Sequence, residues 1–310
     1  MVQNNNIFPS PLRYPGGKGK IANFMKMVFL VNDLVGAEYV EPYAGGASVG
    51  LSLLFEEYAS HIHINDLNDS VFAFWNAVVN MPDELCALIR DARMDIDEWN
   101  RQRSCQTASS PDPLELAFST FYLNRTTRSG ILNGGVIGGK KQDGKWKLDA
   151  RFNRKDLIRR IQKIARFANR ISVSHLDAVE LINRFSVPVK TTTFLYVDPP
   201  YFCKGEDLYQ NYYQPADHEK VARALSRIGC DWIVSYDATP QIAEMYSEYS
   251  IIEYSLSYSA QRKYSGHEVM FFSRGLFIPE ISNPTKISTA DVNRTKLNLL
   301  LSFTKTAARH

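Results

Sequence analysis

The sequence predicts an α/β fold: an open, Rossmann-like sheet, mostly parallel with one antiparallel strand, and a mainly helical region inserted between its second and third strands. Three observations predict it. Short apolar runs alternate with helix-period segments in the first and last thirds of the chain. The first run opens into a small-residue turn, Pro42-Tyr43-Ala44-Gly45-Gly46-Ala47. The buried run Thr193-Phe194-Leu195-Tyr196-Val197 ends in Asp198-Pro199-Pro200-Tyr201, where an open α/β sheet presents its ligands.

In chain order, a helix is predicted over 21–30, the first strand over 39–41, an amphipathic helix over 47–57 and the second strand over 61–65. From 70 to 121 the period is helical: Val71, Phe72, Trp75, Val78 and Val79, then Leu85, Leu88 and Ile89, then Leu114, Ala117, Phe118 and Phe121. A Ser/Pro-rich loop over 104–113 interrupts it, and helix returns over 154–169. Alternation then resumes with strand 171–174, helix 178–185, strand 193–197, helix 215–227, strand 231–235 and helix 239–246. Two last strands, 251–256 and 269–273, flank a polar loop over 257–268, and the basic tail holds a helix over 289–303. The expected domains are 1–69 with 151–280 as one discontinuous catalytic unit, 70–150 as the insert, and 281–310 as the tail.

The Pro-Pro turn carries the chemistry. Each proline biases the residue before it toward extended backbone, and neither has an N–H. The turn therefore offers two acceptors, the Asp198 carboxylate and the Pro199 carbonyl, beside the Tyr201 ring. That set suits an amino group on a flat heterocycle. Two acceptors can take its two N–H bonds while the ring stacks on the base. Such an amine is a poor nucleophile, because its lone pair is delocalised. Accepting both N–H bonds frees that lone pair, and the stabilisation is greatest in the transition state.

Tyr39 to Gly50 reads as a strand entering a nucleotide-binding turn and then a helix. Asp66 ends the next strand, about 20 residues past the glycines, where a carboxylate can accept ribose hydroxyls. The spacing is not that of a dinucleotide site, which fits a nucleoside ligand without phosphates, such as S-adenosylmethionine. Arg13-Tyr14-Pro15-Gly16-Gly17-Lys18-Gly19-Lys20 lacks the spacing and preceding strand of a phosphate loop, yet its Tyr and Lys flank a turn able to wrap a small ligand.

These motifs, in this order, resemble the DNA adenine-N6 methyltransferase family, in the branch related to the bacterial Dam enzymes. Tyr14 to Lys18 match its W/Y-x-G-G-K segment, Glu41 to Val49 its E-P-F-x-G-x-G-S-V segment, and Asp66-Leu67-Asn68-Asp69 its acidic strand end. Asp198 to Tyr201 match its D-P-P-Y, and Tyr122-Leu123-Asn124-Arg125 resembles its L-N-R helix end. One departure is Ala47, which stands where the family has a second glycine. The resemblance runs from about 12 to 275 and implies a methyltransferase-type sheet whose cofactor lies over the strand ends. It implies S-adenosylmethionine as cofactor, no metal, and Asp198, Pro199, Pro200 and Tyr201 as the catalytic segment acting on an adenine flipped out of duplex DNA. Tyr14, Lys18, Glu41, Gly45, Gly46, Asp66, Asp177 and Asp198 become the cofactor-contact candidates. Asp177 can equally be the N-cap of the helix that follows it. Methylation of RNA or of a protein amide, and a catalytically silent DNA-binding relative, are the rival readings.

Charge is uneven. Residues 121–160 hold 11 Lys/Arg and 3 Asp/Glu, a net +8 against +3 for the whole chain, so the remainder carries −5. Between Asn124 and Lys147, Arg125, Arg128, Lys140, Lys141, Lys145 and Lys147 interleave with six glycines and Trp146, a pattern that suits a nucleic-acid backbone. Arg125 and Arg128 are expected to read bases and the lysines to meet phosphates, and the loop that holds Arg262 and Lys263 resembles the family's C-terminal hairpin, which implies an approach to DNA. Double-stranded DNA is thus the expected partner, a cognate restriction enzyme stays open, and a monomer is expected. No run approaches the roughly 20 apolar residues of a membrane helix, and residues 1–6 lack the pattern of a signal peptide. Four scattered cysteines read as reduced thiols, with Cys203 as a small filler near the pocket. His61 and His63 share a strand face and are expected to be structural. A cytoplasmic, nucleoid-associated protein of bacterial or phage origin is the resulting expectation.

Overall fold

A computed structural model describes residues 9–13, 18–186, 192–203, 213–258 and 264–307. Seven strands form one sheet in the order β3-β2-β1-β4-β5-β7-β6. They are β1 (Ala37–Glu41), β2 (Ala59–Asn65), β3 (Ile171–Ser174), β4 (Thr193–Val197), β5 (Asp231–Asp237), β6 (Ser250–Tyr258) and β7 (Tyr264–Phe272). β1 to β5 pair in parallel, and β7 runs against both β5 and β6, so it is the one antiparallel strand expected. The helices are α1 (Ala22–Val31), α2 (Ser48–Phe55), α3 (Asp69–Asn80), α4 (Pro82–Asp91), α5 (Ile96–Thr107), α6 (Pro113–Thr126), α7 (Arg154–Ala165), α8 (Ala178–Asn183), α9 (Pro215–Leu225), α10 (Pro240–Met245) and α11 (Thr289–Ala307).

Period-2 alternation assigns each strand side chain to one of two cores. On one face Phe194, Tyr196, Ile233, Met270 and Phe272 pack with α1 to α7. On the other, Leu195, Val197, Trp232, Val234, Val269 and Phe271 pack with α8, α9 and α10. The first core continues through the insert. Phe74 of α3 stacks on Phe121 of α6 at 6.1 Å between centroids, and Phe121 meets Phe152 edge-on. The expected boundaries at 70 and 150 therefore do not divide the apolar core.

Two elements differ from expectation, and the tail helix forms as expected. α5 has few apolar residues, so periodicity gives no signal for it. Its start is set by Asp95, which accepts from Glu98 N, and it is anchored by buried Trp99 and Gln102. The final strands are longer than expected, with register continuing from Ser250↔Phe272 out to Tyr258↔Tyr264. Their outer part is a polar ribbon that carries no apolar pattern to read. The tail is a docked helix: α11 packs on α1, with Val292 buried and Asn23 donating to the Ile287 carbonyl.

Candidate active site

β1 and β4 lie side by side in parallel, with Val40 opposite Leu195. The strand order reverses here, since β2 and β3 lie beyond β1 while β5 lies beyond β4. Open sheets bind ligands at such a switch point, outside the carboxyl ends. Glu41 closes β1 and Asp198 follows β4, so the two motif segments meet there.

Asp198 is held on one side and open on the other. Its Oδ1 accepts from Ser235 Oγ at 2.7 Å and from Lys18 Nζ at 3.0 Å. Ser235 in turn pairs with the Tyr196 hydroxyl at 2.8 Å. Its Oδ2 takes no hydrogen bond among the described residues, and the side chain is 23% exposed. Burial pushes its carboxyl upward, Lys18 pulls it back, and Glu268 adds to the rise. Lys18 is buried, which alone would lower its pKa, yet Asp198 and Glu268 hold the ammonium well above its usual range.

The glycine turn is braced from three sides. Gly45 N–H donates to Asp66 Oδ2 at 2.9 Å, and the Gly45 carbonyl accepts from the Trp75 indole at 2.8 Å. Asn65 donates to the carbonyls of Pro42 and Leu176. Gly46 is buried beside it. Ala47, where the family pattern has glycine, takes a left-handed conformation at φ 45°. Asp66 also accepts from Asn68 N on Oδ1, so it shapes the turn as well as facing it, and burial raises its carboxyl. Glu41 is buried, with Oε1 accepting from the Tyr39 hydroxyl and Gly50 N, while Oε2 is buried with no partner among the described residues. Burial lifts its pKa to about 8, so it is neutral below that.

Several expected residues stand elsewhere. Tyr201 is not an open platform. It is buried, its hydroxyl donates to Glu268 Oε1 at 2.6 Å, and Lys18 lies 5.2 Å from its ring centre. Pro199 and Pro200 are buried in the turn. Asp177 is an exposed N-cap, accepting from Val179 N and Glu180 N. Arg125 is buried, and its Nε and Nη2 both donate to the Pro11 carbonyl, so its fork is not presented to a base. The reason is local: α6 ends against the N-terminal segment, where Asn124 also exchanges hydrogen bonds with Arg13. Arg128, Lys140, Lys141, Lys145 and Lys147 are exposed, as is Trp146 at 65%. Gln142 ties their loop together through the carbonyls of Ile137 and Gly139 and through Leu148 N. Cys203 is exposed and not a pocket filler. His61 and His63 bond Ser172 and Ser174, and no group of three metal-binding side chains occurs among the described residues. Tyr14, Arg262 and Lys263 lie outside the described residues.

Sequence reasoning missed four groups that build the site. Ser235 and Tyr196 fix Asp198 Oδ1. Asp237 accepts from Phe202 N and Cys203 N, setting the chain just past Tyr201. Glu268 takes Tyr201, Lys18 and Tyr254. A carboxylate abutting the apolar run Val269 to Phe272 is the one signal that could have marked it. Two acids, Asp198 and Glu268, face the one ammonium of Lys18 at this centre, a balance that suits a cationic ligand.

A family model described as D12 class N6 adenine-specific DNA methyltransferase matches residues 14–260. No curated protein matches the chain significantly. Among solved structures, the chain is similar to the Pyrococcus horikoshii protein PH1948, an RNA methyltransferase candidate, at 9% identity over 84% of this chain and 86% of that one, with a TM-score of 0.40. It is also similar to the Legionella pneumophila protein LPL1258, at 12% identity over 91% and 92%, with a TM-score of 0.32. Likenesses this distant carry no argument about substrate.

Proposed function

The chain belongs to the D12 class N6 adenine-specific DNA methyltransferase family, and from that membership we propose a site-specific enzyme that methylates N6 of an adenine flipped out of double-stranded DNA. S-adenosylmethionine, the donor the family implies, supplies an electrophilic methyl group when bound. The observation that carries the reading is Asp198: one oxygen is fixed by Ser235 and Lys18, and the other is open at the switch point.

In this reading Asp198 Oδ2 accepts one N–H of the target amine and the Pro199 carbonyl the other. The nitrogen lone pair is thereby directed out of the ring plane, and its proton leaves to solvent after transfer. Tyr201 stacks on the base once its ring is uncovered. Lys18, Glu41, Gly45, Gly46, Asp66 and Asp177 would contact the donor, and Tyr14, outside the described residues, joins them by its place in the family pattern. The two acids that face Lys18, Asp198 and Glu268, support a cationic donor there. Asp66 would take the ribose hydroxyls with the lone pairs left by Gly45 and Asn68. The exposed lysines of the 127–147 loop would meet phosphates, and Arg128 is the arginine left to read a base there.

The test offers the purified chain duplex DNA, RNA and protein side by side with labelled donor, followed by nucleoside analysis. N6-methyladenine in duplex DNA is the expected product. Label in RNA or protein alone would favour the rival substrates, and no label anywhere with retained DNA binding would mark a silent relative.

A further inference from the structure

Glu268 reaches the Asp198 centre from β7 and is 1% exposed. Its two oxygens are divided between neighbours. Oε1 takes the Tyr201 hydroxyl at 2.6 Å and faces Lys18 Nζ at 3.5 Å, while Oε2 takes the Tyr254 hydroxyl of β6 at 2.6 Å. A carboxylate this deep persists only when bonded and paired. Lys18 is therefore held between two acids, Asp198 at 3.0 Å and Glu268 at 3.5 Å.

We propose that Glu268 is a positioning residue for the Asp198 centre, holding the Lys18 ammonium and the Tyr201 ring so that Asp198 keeps Oδ2 for the target amine. The proposal rests on the reading of Asp198 given above. An ammonium has three N–H donors pointing apart, and here they are shared among Asp198, Glu268 and the Tyr201 hydroxyl. The second acid anchors Lys18 to the β6–β7 pair and leaves it one oxygen of Asp198. The same bond fixes where Tyr201 can turn. The β6–β7 ribbon extends outward from this anchor, and Tyr254 ties β6 to it.

Glu268 also sets charge. Its negative charge favours the proton on both Lys18 and Asp198. The other ionisable groups facing these two are Glu41 and Tyr39 from β1, Tyr196 from β4, Tyr201 from the turn and Tyr254 from β6. All of them remain when Glu268 is neutralised, so any shift on neutralisation belongs to Glu268.

The experiment compares Glu268→Gln and Tyr254→Phe with the wild-type chain. Gln keeps the shape and an oxygen for Tyr201 but removes the charge. Adenine methylation in duplex DNA should fall roughly 10- to 100-fold. Both limbs of the rate–pH profile should move to lower pH, the acid limb reporting Asp198 and the alkaline limb Lys18. A readout free of activity uses the protein without donor. The raised Lys18 pKa contributes stability that is present below its unfolded value and lost as pH rises through the folded one. In Glu268→Gln that alkaline loss should be smaller and should end at lower pH, since its onset is set by the unfolded value. Tyr254→Phe keeps the charge, so it should slow methylation while leaving the alkaline loss in place. Wild-type rate and unshifted limbs in Glu268→Gln would overturn the proposal, as would an even loss of stability at every pH. If the wild-type chain methylates no adenine, the reading of Asp198 falls, and the alkaline shift alone decides whether Glu268 governs Lys18.

Discussion

A carboxylate with one oxygen tied down and one open is a directional acceptor, and Asp198 has that form. Asp198→Ala is expected to lose about 2.7–4 kcal/mol of transition-state stabilisation, the usual size for one such electrostatic partner. Single-turnover methylation of duplex DNA measures it, and near wild-type turnover would remove Asp198 from the mechanism. Glu41 gives a pH prediction. Its folded pKa is about 8 against 4.5 when exposed, so the folded state holds a proton the unfolded one lacks. Stability therefore falls as pH rises from 4.5 to 8, by up to about 1.4 kcal/mol per unit. Glu41→Gln should flatten that slope in denaturant titrations of the chain without donor. Arg125 shows how context reverses a residue's reading. Burial pulls its pKa down to about 9, and its N–H groups hold the Pro11 carbonyl. Arg125→Ala should cost about 1–3 kcal/mol of stability and leave sequence preference unchanged. A melt together with methylation profiling on randomised DNA checks both halves.

At the scale of elements, the loop between α6 and α7 is ordered by its own backbone, not by apolar packing alone. Thr127 bridges Val136, and Gln142 caps the turn at Ile137 and Gly139. Gly130 permits the close approach of the N-terminal segment, since a Cβ there would lie 2.4 Å from the Arg13 carbonyl. A preformed loop presents Lys140, Lys141, Lys145 and Lys147 without an ordering penalty on binding. Replacing any one by Ala is expected to weaken all DNA sequences alike and to reduce the salt slope by roughly one. Binding titrated across salt on two unrelated duplexes measures this, and a sequence-dependent loss would reassign that lysine to base readout. α5 and the β6–β7 ribbon were the elements hardest to read in advance. α5 owes its place to the polar anchors Asp95 and Gln102, while the ribbon is held by the apolar run Val269 to Phe272 and extends past it from Tyr254 and Glu268. Periodicity has little to count in α5 and in the outer part of the ribbon.

Over the whole molecule, one core joins the sheet face to the insert. Rings of α3, α6 and the segment before α7 close on one another within it. A single cooperative unfolding transition is expected, and residues 70–150 expressed alone should show none; calorimetry on both decides. The sequence by itself determined the alternation of strands and helices, the glycine turn and the position of Asp198 after its strand. Those features are local. Alternation, turn chemistry and a Pro-Pro bend act over a few residues and survive any tertiary context. The pairing of Lys18 with Asp198 and Glu268, the covering of Tyr201 and the burial of Arg125 came only from the fold. Each depends on segments more than 60 residues apart meeting at the switch point or at the end of α6. Whether a charge is an open contact or a buried brace is set by what packs over it, and no single stretch of sequence contains that.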